Sequence, residues 1–158
     1  MIYPQKQKNQ SIHNQSPNKF KCPHEDFIKL NFDGASKGNS GPAGFRGIFR
    51  DSQGRTRWVY ADQGGIMSNN KAELMPIYQG IRIAIRNGYT KLEIEGDSNL
   101  AIEMLRKLNN GKDWEQVAKS WRTAEIIQDL AEIMKHIDYR IINHVRRDGN
   151  KASDFLAN

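Results

Sequence analysis

Four acidic residues carry the chemistry this sequence offers: Asp33, Glu73, Asp97 and Asp154. Asp33 stands where the alternating run from Phe27 enters Gly34 and a turn of small residues. A carboxylate at a strand end, followed by glycines that admit another backbone, suits a cation and a phosphate. The same Asp-Gly pair is also an ordinary hairpin turn. Glu73 precedes Ile77 by one helical turn and shares the buried side of its helix, a costly place for an unpartnered carboxylate. Each acid has a plainer alternative. Asp97 suits a helix cap, Glu73 a first-turn acid favoured by the helix dipole, and Asp154 a solvated charge.

Strands and helices must position these acids. Alternation predicts three strands, Phe27–Asp33, Ala43–Asp51 and Arg55–Gln63, the last two joined by the turn Asp51-Ser-Gln-Gly54. Gly64-Gly65 leads to Ser68-Asn69, good caps for a helix from about Asn70 to Asn87, closed by Gly88. Leu74, Ile77, Ile81, Ala84 and Ile85 form its apolar face. Pro76 costs about 3 kcal/mol in a regular helix interior, so a distorted first turn or a later start is expected. A short strand Lys91–Glu95 precedes a helix opened by Gly96-Asp97-Ser98 and ending near Leu108. Asn109–Ser120 reads as a loop, Trp121–His136 as a helix, Tyr139–Val145 as a strand, and a short final helix holds Asp154. The order βββ-α-β-α-α-β-α implies a mixed sheet, antiparallel in one half and parallel in the other.

Residues 1–26 are rich in Asn, Gln, Ser and Lys without an apolar period, and read as a disordered basic and polar arm. Its few acids leave an organelle-targeting role open, against which stands its lack of arginine. Cys22 and His24 are too few for a metal site. Residues 27–158 then form one domain. A single cysteine excludes an internal disulfide and points to an intracellular protein, in nucleus or cytoplasm. No apolar run is long enough to span a membrane. The formal charge of +6, of which the arm holds +2, suits a polyanionic partner.

The segments NFDGASKGNSGPAG, SNNKAEL, EGDSNLAIEML and HVRRDGNKASDFLA, in this order and spacing, resemble the ribonuclease H superfamily, most of all the domains of plant retroelements and their reverse-transcriptase-like relatives. The resemblance runs from about Lys29 to the carboxyl end. It implies a ribonuclease H-like α/β fold, a five-stranded mixed sheet flanked by helices, with the four acids converging near its centre. Two bare carboxylates about 4 Å apart repel by about 4 kcal/mol at an effective dielectric near 20, so such a cluster calls for cations. Two Mg²⁺ or Mn²⁺ ions are implied, since hard cations take oxygen ligands. By resemblance Asp33 bridges both ions, Glu73 and Asp97 stand beside it, and Asp154 completes the second site. One ion acidifies the attacking water and the other stabilises the leaving 3′ oxygen. Neutralising Asp33 is expected to raise the metal-free melting temperature by removing repulsion.

The substrate implied is the RNA strand of an RNA–DNA hybrid, cut to 5′-phosphate and 3′-hydroxyl ends by a monomer. Only RNA offers 2′-hydroxyls in a wide, shallow minor groove. By resemblance Gly34, Ser36, Asn39, Asn69, Asn70 and Asn150 contact the substrate, and amides suit groups that both donate and accept. Turn and cap formation is the plainer role for the asparagines. Lys107, Lys112, Lys119, Trp121 and Arg122 surround the region where some relatives carry a basic handle for the DNA strand. Trp121 is expected in the core, and Trp114 is undecided.

The loop histidine that bacterial and animal members of the family carry before the last helix is absent from HVRRDGN, and His144 falls within a strand. Arg146 or Arg147 offers positive charge in its place. The sequence ends one turn after Asp154, which implies a frayed last ligand and weak activity. Two alternatives to the hybrid-cleaving enzyme therefore stand: a retroelement-derived nucleic-acid-binding module with little catalysis, or a reverse-transcriptase fragment that needs its polymerase.

Overall fold

A computed structural model of the chain describes residues 20–146. Five strands form one sheet: β1 (Ile28–Ser36), β2 (Gly41–Arg50), β3 (Thr56–Met67), β4 (Lys91–Gly96) and β5 (Tyr139–His144). Their order is β3-β2-β1-β4-β5, with β1–β2 and β2–β3 antiparallel and β1–β4 and β4–β5 parallel. The expected mixed sheet is therefore present. Four helices complete the described part: α1 (Asn69–Arg86), α2 (Asn99–Asn109), α3 (Trp114–Val117) and α4 (Trp121–Met134). The expected loop Asn109–Ser120 thus contains a one-turn helix, whose Val117 is buried. Asp154 and Asn150, with the expected final helix, lie outside the described residues.

Alternation along β1 sends Ile28, Leu30 and Phe32 into the core with Leu74, Ile77, Ile81 and Ala84 of α1. Ile126, Ile127, Leu130 and Met134 of α4 join the same core. Ile85, expected on the apolar face of α1, is 37% exposed. Trp121, expected in the core, is 83% exposed. It is the first residue of α4, outside the stripe begun by Thr123 and Ile126, and its ring lies 5.5 Å from the Arg122 guanidinium carbon.

Local chemistry ends the elements much as expected. The Asp51–Gly54 turn closes with Gly54 at φ +79°, while the fully buried Asp51 carboxylate accepts from the Gln53 and Arg55 backbones. Ser68 caps α1 by accepting from Lys71 N. β3 runs four residues beyond its expected end because a register shift opposite Ala43–Gly44 absorbs an extra residue, with Gly65 at φ +71°. Pro76 lies inside α1, which neither starts late nor breaks. Pro76 has no N–H for the Ala72 carbonyl, and Tyr60 Oη donates to the Pro76 carbonyl at 2.5 Å. Gly34 of β1 packs against that turn: a Cβ there would stand 2.0 Å from Ala72 O.

The other face of β1 and β4 buries charge. Lys29, Glu93 and Glu95 are 1%, 3% and 7% exposed. Lys29 Nζ lies 2.9 Å from Glu95 Oε1 and 3.6 Å from Glu93 Oε2, and it also donates to the Lys21 carbonyl. The chain before β1 lies against this cluster. His24 N donates to Glu93 Oε1 at 2.8 Å, its ring meets the same oxygen, and Pro23 is buried. Cys22 is an exposed thiol. Among the described residues, no helix is long and apolar enough to cross a membrane.

Candidate active site

Strand register assembles the site. Asp33 lies inside β1 rather than at its end, opposite Arg46 of β2. It is therefore a ladder residue, not a turn residue. On the other side, Asn31 pairs with Glu95 in the parallel β1–β4 register. Two residues beyond that last pair come Asp33, still in β1, and Asp97, one residue past the end of β4. Arg46 and Asp33, cross-strand partners, and Asp97, just past β4, thus make a row across adjacent strands of the sheet.

Glu73 reaches this row from α1. It lies beyond the first helical turn, which contains no acid, so the dipole explanation does not hold for it. Its carboxyl is pushed above the ordinary carboxylate range, first by burial and then by the negative charges of Asp97 and Asp33. One hydrogen bond opposes this: Ser98 Oγ donates to Glu73 Oε2 at 2.8 Å. Ser98 also caps α2 by accepting from Ala101 N at 3.2 Å. The cap of α2 is therefore Ser98, not Asp97. His144 meets the Asp97 backbone carbonyl through Nε2 at 3.1 Å, and Val145 N donates to the Gly96 carbonyl at 3.0 Å, fastening β5 beside the row.

Asp33 accepts a hydrogen bond from Arg46 Nη2 at 2.8 Å. The sequence offered no sign of this partner, since only the β1–β2 register brings it there. It alters the expected effect of neutralising Asp33. Arg46 already offsets the repulsion at this carboxylate, which leaves Glu73 as the acid under strain. Among the described residues, no three acidic, histidine or cysteine side chains close around one point as a metal cage. Asp33 is turned to Arg46 and Glu73 to Ser98.

Of the positions expected to contact substrate, Ser36, Asn39 and Asn69 meet where the loop after β1 faces the start of α1. Asn39 Oδ1 accepts from Asn69 N at 3.1 Å, and Ser36 Oγ lies 2.5 Å from Asn69 Oδ1. Asn70 is exposed in the first turn of α1. The loop after β1 and the start of α1 are thus tied together, exposed, and rich in groups that both donate and accept. An open groove of about 780 Å³ continues from Asp33 across β2 and β3, lined by Ser36, Lys37, Arg46, Asp62 and Ile66. Gly34 also lines it while packing beneath α1. Residues 31–158 match the family described as reverse transcriptase-like.

The chain belongs to that family. It is 31% identical over 143 residues to the ribonuclease H of Bordetella pertussis, covering 83% of this chain and 86% of that enzyme. A protein of Arabidopsis thaliana assigned provisionally to ribonuclease H is 29% identical over 137 residues, 86% of this chain. This chain spans 21% of the length of that plant protein and 60% of the ribonuclease HI of Halobacterium salinarum. The crystal structure of the Halobacterium salinarum ribonuclease H1 superposes with a TM-score of 0.70 at 27% identity, covering 82% of this chain and 93% of that one. A compost-derived ribonuclease H1 solved in complex with an RNA/DNA hybrid has the same fold, with a TM-score of 0.69, 24% identity, and coverage of 82% and 92%.

Proposed function

We propose that this chain is a ribonuclease H that hydrolyses the RNA strand of RNA–DNA hybrids. The observation that carries the reading is that Asp33 of β1 and Asp97, just past the neighbouring β4, stand close enough to the partly buried Glu73 for both charges to act on it. Carboxylates gathered so that burial and mutual repulsion push one of them up suit a hard cation. The donor set is all oxygen, and a guanidinium already rests on Asp33, so positive charge is favoured at this point. Asp33, Glu73 and Asp97 would hold two Mg²⁺ or Mn²⁺ ions, with Asp154 as a further ligand. Bound there, the ions supply Lewis-acid polarisation of the phosphate and a water nucleophile at neutral pH.

The chain's own residues do the rest. Asp33 on β1 and Asp97 just past the neighbouring β4 fix the charge where the scissile phosphate must lie. Ser98 holds the Glu73 carboxylate and limits its protonation. Ser36, Asn39, Asn69 and Asn70 receive the 2′-hydroxyls that distinguish RNA from DNA. Water adds its oxygen to phosphorus as the bond to the 3′ oxygen breaks. That oxygen leaves with a proton, giving 5′-phosphate and 3′-hydroxyl ends. Ribonuclease H relatives that are about 30% identical over most of the chain support the substrate class.

The test is cleavage of an end-labelled RNA–DNA hybrid in Mg²⁺ and in Mn²⁺, beside Asp33→Asn and Asp97→Asn. Cutting confined to the RNA strand and lost in both variants is expected. Intact substrate in every lane, with a gel shift retained, would make the protein a binding module instead.

A further inference from the structure

We propose that Arg46 is an internal counter-cation of Asp33 that divalent metal must displace, so that this side chain sets how much metal the site requires. The inference rests on the reading of Asp33 as a metal ligand. Arg46 and Asp33 are direct partners in the antiparallel β1–β2 register, on one face of the sheet. Both backbones are therefore fixed by the ladder, and the guanidinium is aimed at the carboxylate by the strands rather than by a mobile loop. Nη2 donates to Oδ2 at 2.8 Å, the length of a charge-assisted bond.

The pair is also open to exchange. The Arg46 and Asp33 side chains are 23% and 27% exposed, so water and ions reach both. Across β2, Arg46 faces Ala61 of β3, a small residue, and both line the open groove. The released guanidinium has room there, near the Asp62 and Gln63 positions that continue the lining. Arg46 thus has a bound position on Asp33 and space for a displaced one. A cation and the guanidinium compete for the same oxygens, and apparent metal affinity falls in proportion to the fraction of carboxylate that is free. If Arg46 occupies Asp33 about nine-tenths of the time, the apparent dissociation constant for metal rises about tenfold.

The experiment is Mg²⁺ titration by calorimetry in the absence of nucleic acid, with the melting temperature followed in parallel. It compares the native protein with Arg46→Gln, Arg46→Lys and Asp33→Asn. Arg46→Gln is expected to bind Mg²⁺ about tenfold more tightly, to melt lower without metal, and to gain more from added Mg²⁺. Arg46→Lys keeps the charge but loses the fork, so a smaller tightening is expected, and it serves should the glutamine variant fail to fold. Equal or weaker Mg²⁺ binding in the Arg46 variants, with binding lost in Asp33→Asn, would overturn the competition while leaving the metal site standing. Native-like Mg²⁺ binding in Asp33→Asn would instead overturn the reading of the site itself.

Discussion

The Ser98 hydroxyl joins two helices and an acid: it accepts from Ala101 N to cap α2 and donates to Glu73 of α1. One oxygen therefore holds the start of α2 against the second turn of α1. Ser98→Ala should cost about 1 kcal/mol through the lost cap, plus the loss of a hydrogen bond to a charged group. Urea unfolding measures this. Ser98→Asp would restore the cap but add a negative charge beside Glu73, so its stability at neutral pH should stay below that of the native protein.

The raised Glu73 carboxyl gives the metal-free protein a pH dependence of definite sign. A folded-state value above the unfolded one stabilises at pH below the ordinary carboxylate range, and that contribution is lost as pH rises through the raised value. Glu73→Gln should accordingly flatten this dependence and raise the metal-free melting temperature at neutral pH. Asp33→Asn should not raise it, because Arg46 already compensates Asp33. Thermal melts of both variants in chelator, at pH 5 and pH 8, distinguish the two effects. Equal stabilisation by both substitutions would mean that Arg46 does not offset the charge at Asp33.

Gly34 sets the distance between β1 and α1. An added methyl would meet Ala72 O at 2.0 Å and Pro76 Cγ at 3.2 Å, neither of which is the end of a flexible side chain. Gly34→Ala must therefore move the helix that carries Glu73. A loss of about 1–3 kcal/mol is expected, typical of overpacking, together with weaker Mg²⁺ binding. Native-like stability and Mg²⁺ affinity in this variant would show that the helix does not need this approach.

Lys29 is the buried cation between Glu95 and Glu93. Lys29→Met leaves two buried carboxylates with too little positive charge, and a loss of about 3–5 kcal/mol is expected. Glu93 keeps its contact with His24, and Glu95 keeps the Asn31 amide at 3.3 Å. Adding Glu95→Gln to Lys29→Met should therefore recover part of the loss in a denaturant titration.

Local chemistry made much of this molecule legible before folding. Alternating apolar residues marked β1 through β3 and β5, Ser68 and Gly88 bounded α1, and Asp51–Gly54 marked a hairpin turn, because each signal acts within a few residues. The acids Asp33, Glu73 and Asp97 stood out for their positions along predicted elements, and their motifs carried the family resemblance. Partnership was a different matter. Arg46 reaches Asp33 only through the β1–β2 register, Ser98 reaches Glu73 only through the packing of α1 against α2, and Lys29 is buried with Glu93 and Glu95 only because β1 and β4 are adjacent. Such contacts depend on which faces meet across long stretches of chain. The helical period likewise did not show that Trp121 would lie outside, or that Tyr60 and Gly34 would accommodate Pro76 within α1. The sequence by itself determined the strand and helix order and the supply of carboxylates. Tertiary structure decided which cation each carboxylate faces, since charges far apart in sequence are paired only when the sheet aligns them.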